Sequence, residues 1–153
     1  MPKNSKRARF ATELELAYIA GLFDGEGCIQ LIAFTTKTGW RLDSIRATVK
    51  MCDQQAIALI VEVFGGTVSM VRRTLPHRDQ YAWHLYSRRE TMEFLTAIRP
   101  FLRIKGPQVD VAEQFNTTFT GHNRKGRGSK VPVEVVERRL RLIDDCKRLK
   151  RAT

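Results

Sequence analysis

The sequence predicts an α+β fold in which helices cover one face of an antiparallel sheet. Three observations lead there. Between Thr12 and Ala97 the segments run helix, strand pair, helix, strand pair, helix. Each strand pair is joined by a short polar turn, which gives antiparallel neighbours. Along the second pair, apolar residues alternate with polar ones, so one face suits helices and the other is left for a partner. At 153 residues the chain has the length of a single domain, residues 1–153, able to bury about two-thirds of its unfolded surface.

Thr12 followed by Glu15 is a capping box, and apolar residues begin directly after it. A helix is therefore expected from Glu13 to Asp24. Leu14, Tyr18 and Leu22 make one stripe, Leu16, Ile19 and Phe23 a second, and the small residues Ala17, Ala20 and Gly21 lead to Asp24 on a third. A helix apolar nearly all round is buried on more than one side. The small stripe would let another backbone approach.

After Gly25 and Gly27, the segment CIQLIAFTT has strand composition, and WRLDSIRATVKM returns after a turn at Lys37 to Gly39. A helix is expected from Asp53 to Val63, ending at Gly65 and Gly66. Two further strands, Thr67 to Arg73 and Gln80 to Tyr86, flank a turn at Leu75 to Asp79. Val68, Met70, Tyr81, Trp83 and Leu85 would face the helices. Thr67, Ser69, Arg73, Gln80, Ala82 and His84 would face away. The helix from Arg89 to Ala97 is stopped by Pro100, and Gln108 to Phe115 and Val133 to Leu149 are extra C-terminal helices. A basic arm over residues 1–11 and a basic, glycine-bearing loop over 121–131 complete the chain.

Lysine and arginine outnumber aspartate and glutamate 27 to 16, a net charge of +11, which favours a polyanionic partner. No uncharged run, that from Leu16 to Phe23 included, is long enough to span a bilayer, so nucleic acid is favoured over a membrane. The N-terminus has no apolar segment of a secretory signal. Cys28, Cys52 and Cys146 are widely spaced with no C-x-x-C pair, which points away from disulfides and zinc and toward a reducing intracellular compartment. His77, His84 and His122 have no ligand spacing either.

The informative stretch is AYIAGLFDGEGCIQL, residues 17–31. Two carboxylates, Asp24 and Glu26, close an apolar helix, where they face the negative end of its dipole. An EF-hand loop would need an oxygen ligand where Cys28 stands, and a phosphate-binding loop would need a lysine after the glycines. A glycosidase-type carboxylate pair leaves the large positive charge without purpose. A simple helix-to-strand turn, with solvated carboxylates and flexible glycines, remains the competing reading.

Ile19-Ala-Gly-Leu-Phe-Asp-Gly-Glu-Gly27 resembles the signature of the LAGLIDADG homing endonucleases, position by position. Phe64-Gly-Gly66 and Pro100-Phe-Leu-Arg-Ile-Lys105 follow in the family's order, so the resemblance covers about residues 12 to 120. It implies an αββαββα core with a four-stranded saddle-shaped sheet. One motif implies a homodimer on a pseudo-palindromic double-stranded DNA target, with Ala17, Ala20, Gly21 and Asp24 at the helix interface. Neither a small-molecule substrate nor a membrane is expected.

The resemblance further implies an intron-encoded type of endonuclease that hydrolyses both strands with divalent metal ions. Glu26 and the Gly25 carbonyl would bind Mg2+, with Mn2+ substituting and Ca2+ supporting binding without cleavage. Asp24 would be mainly structural. Lys105 would stabilise charge at the cleaved phosphate. Many relatives carry a solvent-organising glutamine at the end of the second strand, where this chain has Met51, leaving Lys50 or Gln55 to compensate. Base edges would be read by Gln30, Ile32, Phe34, Thr36, Ser44, Arg46, Thr48, Ser69, Arg73, Gln80, Ala82 and His84. Phosphates would be met by Arg41, Arg72, Arg78, Arg103, Arg124, Lys125 and Arg127. The rival expectation is a non-cleaving binder of the same fold, an intron maturase or a DNA-binding regulator.

Overall fold

A computed structural model describes residues 10–39, 41–119 and 131–153. Helix α1 (Glu13–Glu26) is followed by strands β1 (Gly27–Thr35) and β2 (Arg41–Met51), helix α2 (Gln54–Phe64), and strands β3 (Thr67–Val71) and β4 (Gln80–Leu85). Helices α3 (Arg88–Ile98), α4 (Gly106–Thr117) and α5 (Val133–Ala152) complete the chain. The αββαββα core and the C-terminal helices are as the sequence predicts. Among the described residues no helix is long and apolar enough to cross a membrane.

The four strands form one antiparallel sheet in the order β1-β2-β4-β3. The first three helices each start on a side-chain cap. Thr12 accepts the Glu15 N–H and donates its own to the Glu15 carboxylate at 2.9 Å, which is the expected capping box. Asp53 accepts the Ala56 N–H at 2.9 Å to start α2, and Ser87 accepts the Glu90 N–H at 3.4 Å to start α3.

The helices pack on the face carrying Ile29, Ile45, Ala47, Val49, Trp83 and Leu85, all buried. Phe94 of α3 is the hub of this core. Its ring meets Phe23 of α1, Phe64 of α2 and Trp83 of β4 edge-on at 5.2, 4.9 and 4.9 Å. The FGG segment lets this happen: Gly66 has φ of 96°, and a Cβ there would stand 2.5 Å from the Trp83 indole nitrogen. That nitrogen donates to the Gly65 carbonyl at 2.7 Å, so the buried indole keeps a partner.

Helix α1 departs from expectation at its end. It continues through Gly25 and ends at Glu26, two residues beyond Asp24, with Gly27 as its cap, and both carboxylates lie in its last turn. Gly27 is where the chain must straighten, because a Cβ there would meet the Phe23 ring at 2.3 Å. Ala20 is also not on an interface stripe. It is fully buried in the protein's own core with Ile19 and Phe23. The outward stripe is Leu14, Ala17, Tyr18, Gly21 and Gly25, with Leu14 84% and Tyr18 51% exposed.

Helix α5 is held by a buried charge network. Arg139, fully buried, bonds the Asp43 carboxylate, the Thr118 hydroxyl at 2.8 Å and the Thr118 carbonyl at 2.9 Å. Its guanidinium lies 4.2 Å from the Phe119 ring centroid. Near the other end of α5, Lys150 donates to the Ile29 carbonyl of β1, an edge strand of the sheet.

Candidate nucleic-acid interface and metal-binding end

The last turn of α1 separates its two carboxylates completely. Asp24 accepts three backbone N–H groups, from Arg103 at 2.7 Å, Ile104 at 3.2 Å and Lys105 at 2.9 Å. The Lys105 ammonium in turn donates to the Asp24 carbonyl. This offsets the unfavourable helix end, since a cation meets one of its free carbonyls and the anion meets three donors. The Glu26 carboxylate is exposed and, among the described residues, has no hydrogen-bond or ion-pair partner.

Glu26 leads directly into β1 and stands at the border of the outer sheet face. The register pairs Gly27 with Val49, so one residue further back Glu26 lies across from Lys50. Both line an open depression of about 470 Å³ with Gln30, Thr48, Gln80 and His84. Of the two residues expected to compensate for the missing glutamine, Lys50 is the one that lines this depression. Met51 points inward, packed against the core, and Gln55 is exposed in the first turn of α2, outside this depression. Strand alternation contains this signal, because a two-residue period that buries Val49 must turn Lys50 out.

The outer face carries Gln30, Ile32 and Phe34 on β1, opposite Arg46, Ser44 and Leu42 on β2. The expected register is correct, and Ile32 and Phe34 do not belong to the core cluster. The only acidic residue within the four strands is Asp43, which faces the helices. At the centre, His84 bonds Thr48 through Nδ1 at 3.2 Å and Ser69 through Nε2 at 3.4 Å. Its ring stacks on Tyr86 at 5.4 Å, and Arg46 lies 5.3 Å from the Tyr86 centroid. Burial, and secondarily the Lys50 ammonium, lowers the His84 pKa, so the ring is neutral at pH 7.

Several expected contacts are corrected. Ala82 is 2% exposed, because its methyl sits mid-sheet between Lys50 and Ser69, and Thr48 is buried and engaged by His84. Arg41 turns to the helix side and grips Asp43 at 2.7 and 3.3 Å. Thr36 lies in the turn beyond β1, where its carbonyl accepts the Gly39 N–H. Strand β3 stops at Val71, so Arg72 and Arg73 lie in the loop, and Arg73 bonds Gln80 at 2.8 Å. Met70, expected against the helices, is instead 42% exposed. Ser69, Arg72, Arg78 and Arg103 are exposed as expected. Arg124, Lys125, Arg127 and the basic arm lie outside the described residues, except for the arm's last two.

The donors at the end of α1 are of the hard oxygen kind that suits Mg2+. Glu26 offers a free carboxylate, and Gly25 is among the last four residues, whose carbonyls have no partner further along the helix. Mg2+ takes hard oxygen ligands, commonly one or two carboxylates plus water and phosphate oxygens. Among the described residues, no group of three or more His, Cys, Asp and Glu is placed to hold a metal ion.

No protein-family model matches the sequence, and no curated protein matches it either. Solved structures do. The homing endonuclease I-CvuI, in complex with uncleaved DNA in the presence of Mg, matches 90% of this chain and 82% of its own at 18% identity and a TM-score of 0.68. The archaeal intron-encoded homing endonuclease I-Vdi141I, complexed with DNA, matches 90% of this chain and 84% of its own at 13% identity and 0.69. The LAGLIDADG homing endonuclease I-SmaMI, bound to cleaved DNA, matches 90% of this chain but 44% of its own, at 13% identity and 0.61. The chain has the LAGLIDADG homing endonuclease fold.

Proposed function

We propose that two copies of this chain form a metal-dependent, site-specific DNA endonuclease that hydrolyses both strands of a pseudo-palindromic target. The observation that carries this is the contrast between Asp24, bound by three N–H groups, and Glu26, left free at the border of a sheet face with no other carboxylate. A protein that only binds phosphates gains nothing from an unpaired anion at that place.

The outward stripe of α1 supports the dimer. Leu14 and Tyr18 are apolar and exposed, while Gly21 and Gly25 have open space where a Cβ would stand. Packing this stripe against its copy brings two Glu26 side chains together, and the 44% coverage of I-SmaMI leaves room in that protein for a second such unit. Glu26 and the Gly25 carbonyl would hold Mg2+, which when bound supplies charge neutralisation at the phosphate and a more acidic water. Lys50 lies across from Glu26, and its ammonium faces the same depression, poised to attract and neutralise the phosphate. Lys105, tied to the Asp24 carbonyl, holds a second positive charge at the helix end. The sheet face reads bases, and exposed Arg72, Arg78 and Arg103 meet phosphates.

The test is selection of cleaved sites from a randomised duplex pool with Mg2+. Cut, near-palindromic products that vanish with Glu26→Gln support the endonuclease. Tight binding of the pool with no cutting makes the chain a non-cleaving nucleic-acid binder.

A further inference from the structure

Among the described residues, all the buried and half-buried arginines but one are engaged by the chain itself. Arg139 is buried on Asp43, and the half-buried Arg41, Arg88 and Arg99 bond Asp43, Asn116 and Asp110. Arg46 is the exception. It is half-buried, yet among the described residues its guanidinium has no hydrogen-bond or ion-pair partner, and its Nε is buried without one. Leaving a buried donor unpaired costs free energy, so such an arginine is kept for a reason outside the folded chain.

Arg46 is also held still. Its guanidinium rests on the Tyr86 ring at 5.3 Å, Tyr86 stacks on His84, and the Ser44 hydroxyl donates to the Tyr86 carbonyl at 3.4 Å. An arginine braced on an aromatic face loses less side-chain entropy when it binds. Its location decides the ligand class. Arg46 pairs with Gln30 on the outer face, away from the exposed arginines of the loops. A guanidinium on the groove-facing side of a sheet matches the O6 and N7 acceptors of guanine, the one base edge that presents two acceptors to a single fork of donors.

We infer that Arg46 reads a guanine in each half of the DNA target, an assignment that rests on the nucleic-acid reading above. Gln30 lies four residues from Glu26 along β1. At about 3.3 Å per residue this is roughly 13 Å, or about four base pairs outward from the phosphate beside Glu26. The neighbouring base is then met by Gln30, whose exposed amide suits adenine.

Binding selection from a randomised duplex pool, in Ca2+ so that no cutting is needed, tests this with wild type, Arg46→Ala and Arg46→Gln. Circular dichroism and thermal melting check that both variants fold. Wild type is expected to enrich one guanine per half-site, about four base pairs from the centre-facing phosphate. Arg46→Ala should randomise that position alone and weaken binding roughly ten- to a hundredfold. Arg46→Gln should shift the position toward adenine. An unchanged set of preferred bases with uniformly weaker binding would assign Arg46 to a phosphate and overturn the inference. If wild type binds the pool but enriches no sequence, Arg46 reads no base and the site-specific reading falls too; if it binds no DNA at all, the nucleic-acid reading itself fails.

Discussion

Asp24 and Lys105 are joined twice: the Asp24 carboxylate accepts the Lys105 backbone N–H at 2.9 Å, and the Lys105 ammonium donates to the Asp24 carbonyl. One residue pair therefore fixes both the loop before α4 and the end of α1. Asp24→Ala would leave the N–H groups of Arg103, Ile104 and Lys105 without their acceptor. At a half-exposed site, the loss is expected at about 1–3 kcal/mol in urea unfolding. Glu26→Gln, which breaks no bond within the described chain, should leave the urea midpoint unchanged while cleavage falls below detection. Equal destabilisation by the two substitutions would remove the division of roles between them.

Lys50 and Gln55 separate in the same kind of experiment. Lys50 faces Glu26 across the depression, whereas Gln55 stands exposed on α2. Lys50→Ala should lower the cleavage rate about a hundredfold, in the range of losing one charge-stabilising donor, and Gln55→Ala should not change it. Single-turnover cleavage at saturating protein distinguishes this from weaker binding. A loss confined to Gln55→Ala would return the solvent-organising role to α2.

Much of this was legible in the sequence, and the errors share a cause. Periodicity and capping placed every element to within a few residues, because Thr12, Gly65, Gly66 and Pro100 act locally. The outer-face register was legible too, since alternation is a local property. What depends on neighbours distant in sequence was not. Ala20 looked like an interface residue until Phe23 and Ile19 enclosed the same side of the helix, and Ala82 looked exposed until longer side chains flanked it. Arg41 looked like a phosphate contact, yet it meets Asp43, which is also bound by Arg139 from 96 residues away, a pairing that no spacing rule anticipates.

That network is asymmetric and gives a prediction. Asp43 is gripped by two arginines, so Arg139→Met still leaves it paired with Arg41. Asp43→Ala instead leaves the fully buried Arg139 without its carboxylate, although burial already works against its charge. Removing the shared acid should cost about 3–5 kcal/mol, and Arg139→Met distinctly less. The double variant should be more stable than Asp43→Ala alone, measured by urea unfolding. The reverse order would mean that Arg139 contributes through packing on Phe119 rather than through charge.

His84 sets an acid limit on stability. Its pKa is lowered in the folded protein by burial and by Lys50, so the unfolded chain binds a proton more readily. The neutral ring's contribution is complete above the unfolded value of about 6.5 and is lost as pH falls through the lower folded value. Wild type should therefore lose stability relative to His84→Gln between pH 7.5 and 5. Parallel urea curves for the two proteins over that range would show that His84 protonates without penalty.

Gly21 tests the assembly without disturbing the monomer. A Cβ added there meets nothing within 4 Å, and the residue lies mid-helix, where glycine costs about 1 kcal/mol against a good helix former. Nothing within the described chain asks for glycine at this place. Gly21→Leu should therefore unfold at a higher urea concentration as a monomer, by up to about 1 kcal/mol. In a dimer packed through Leu14, Tyr18, Gly21 and Gly25, the same side chain would force two backbones apart. Analytical ultracentrifugation should show wild type sedimenting as a dimer and Gly21→Leu as a folded monomer that no longer cuts both strands. Ala20→Leu is the contrasting variant: Ala20 is enclosed by the core, so it should destabilise the monomer itself. A Gly21→Leu protein that remains a dimer would move the interface off this face of α1, and with it the pairing of two Glu26 carboxylates.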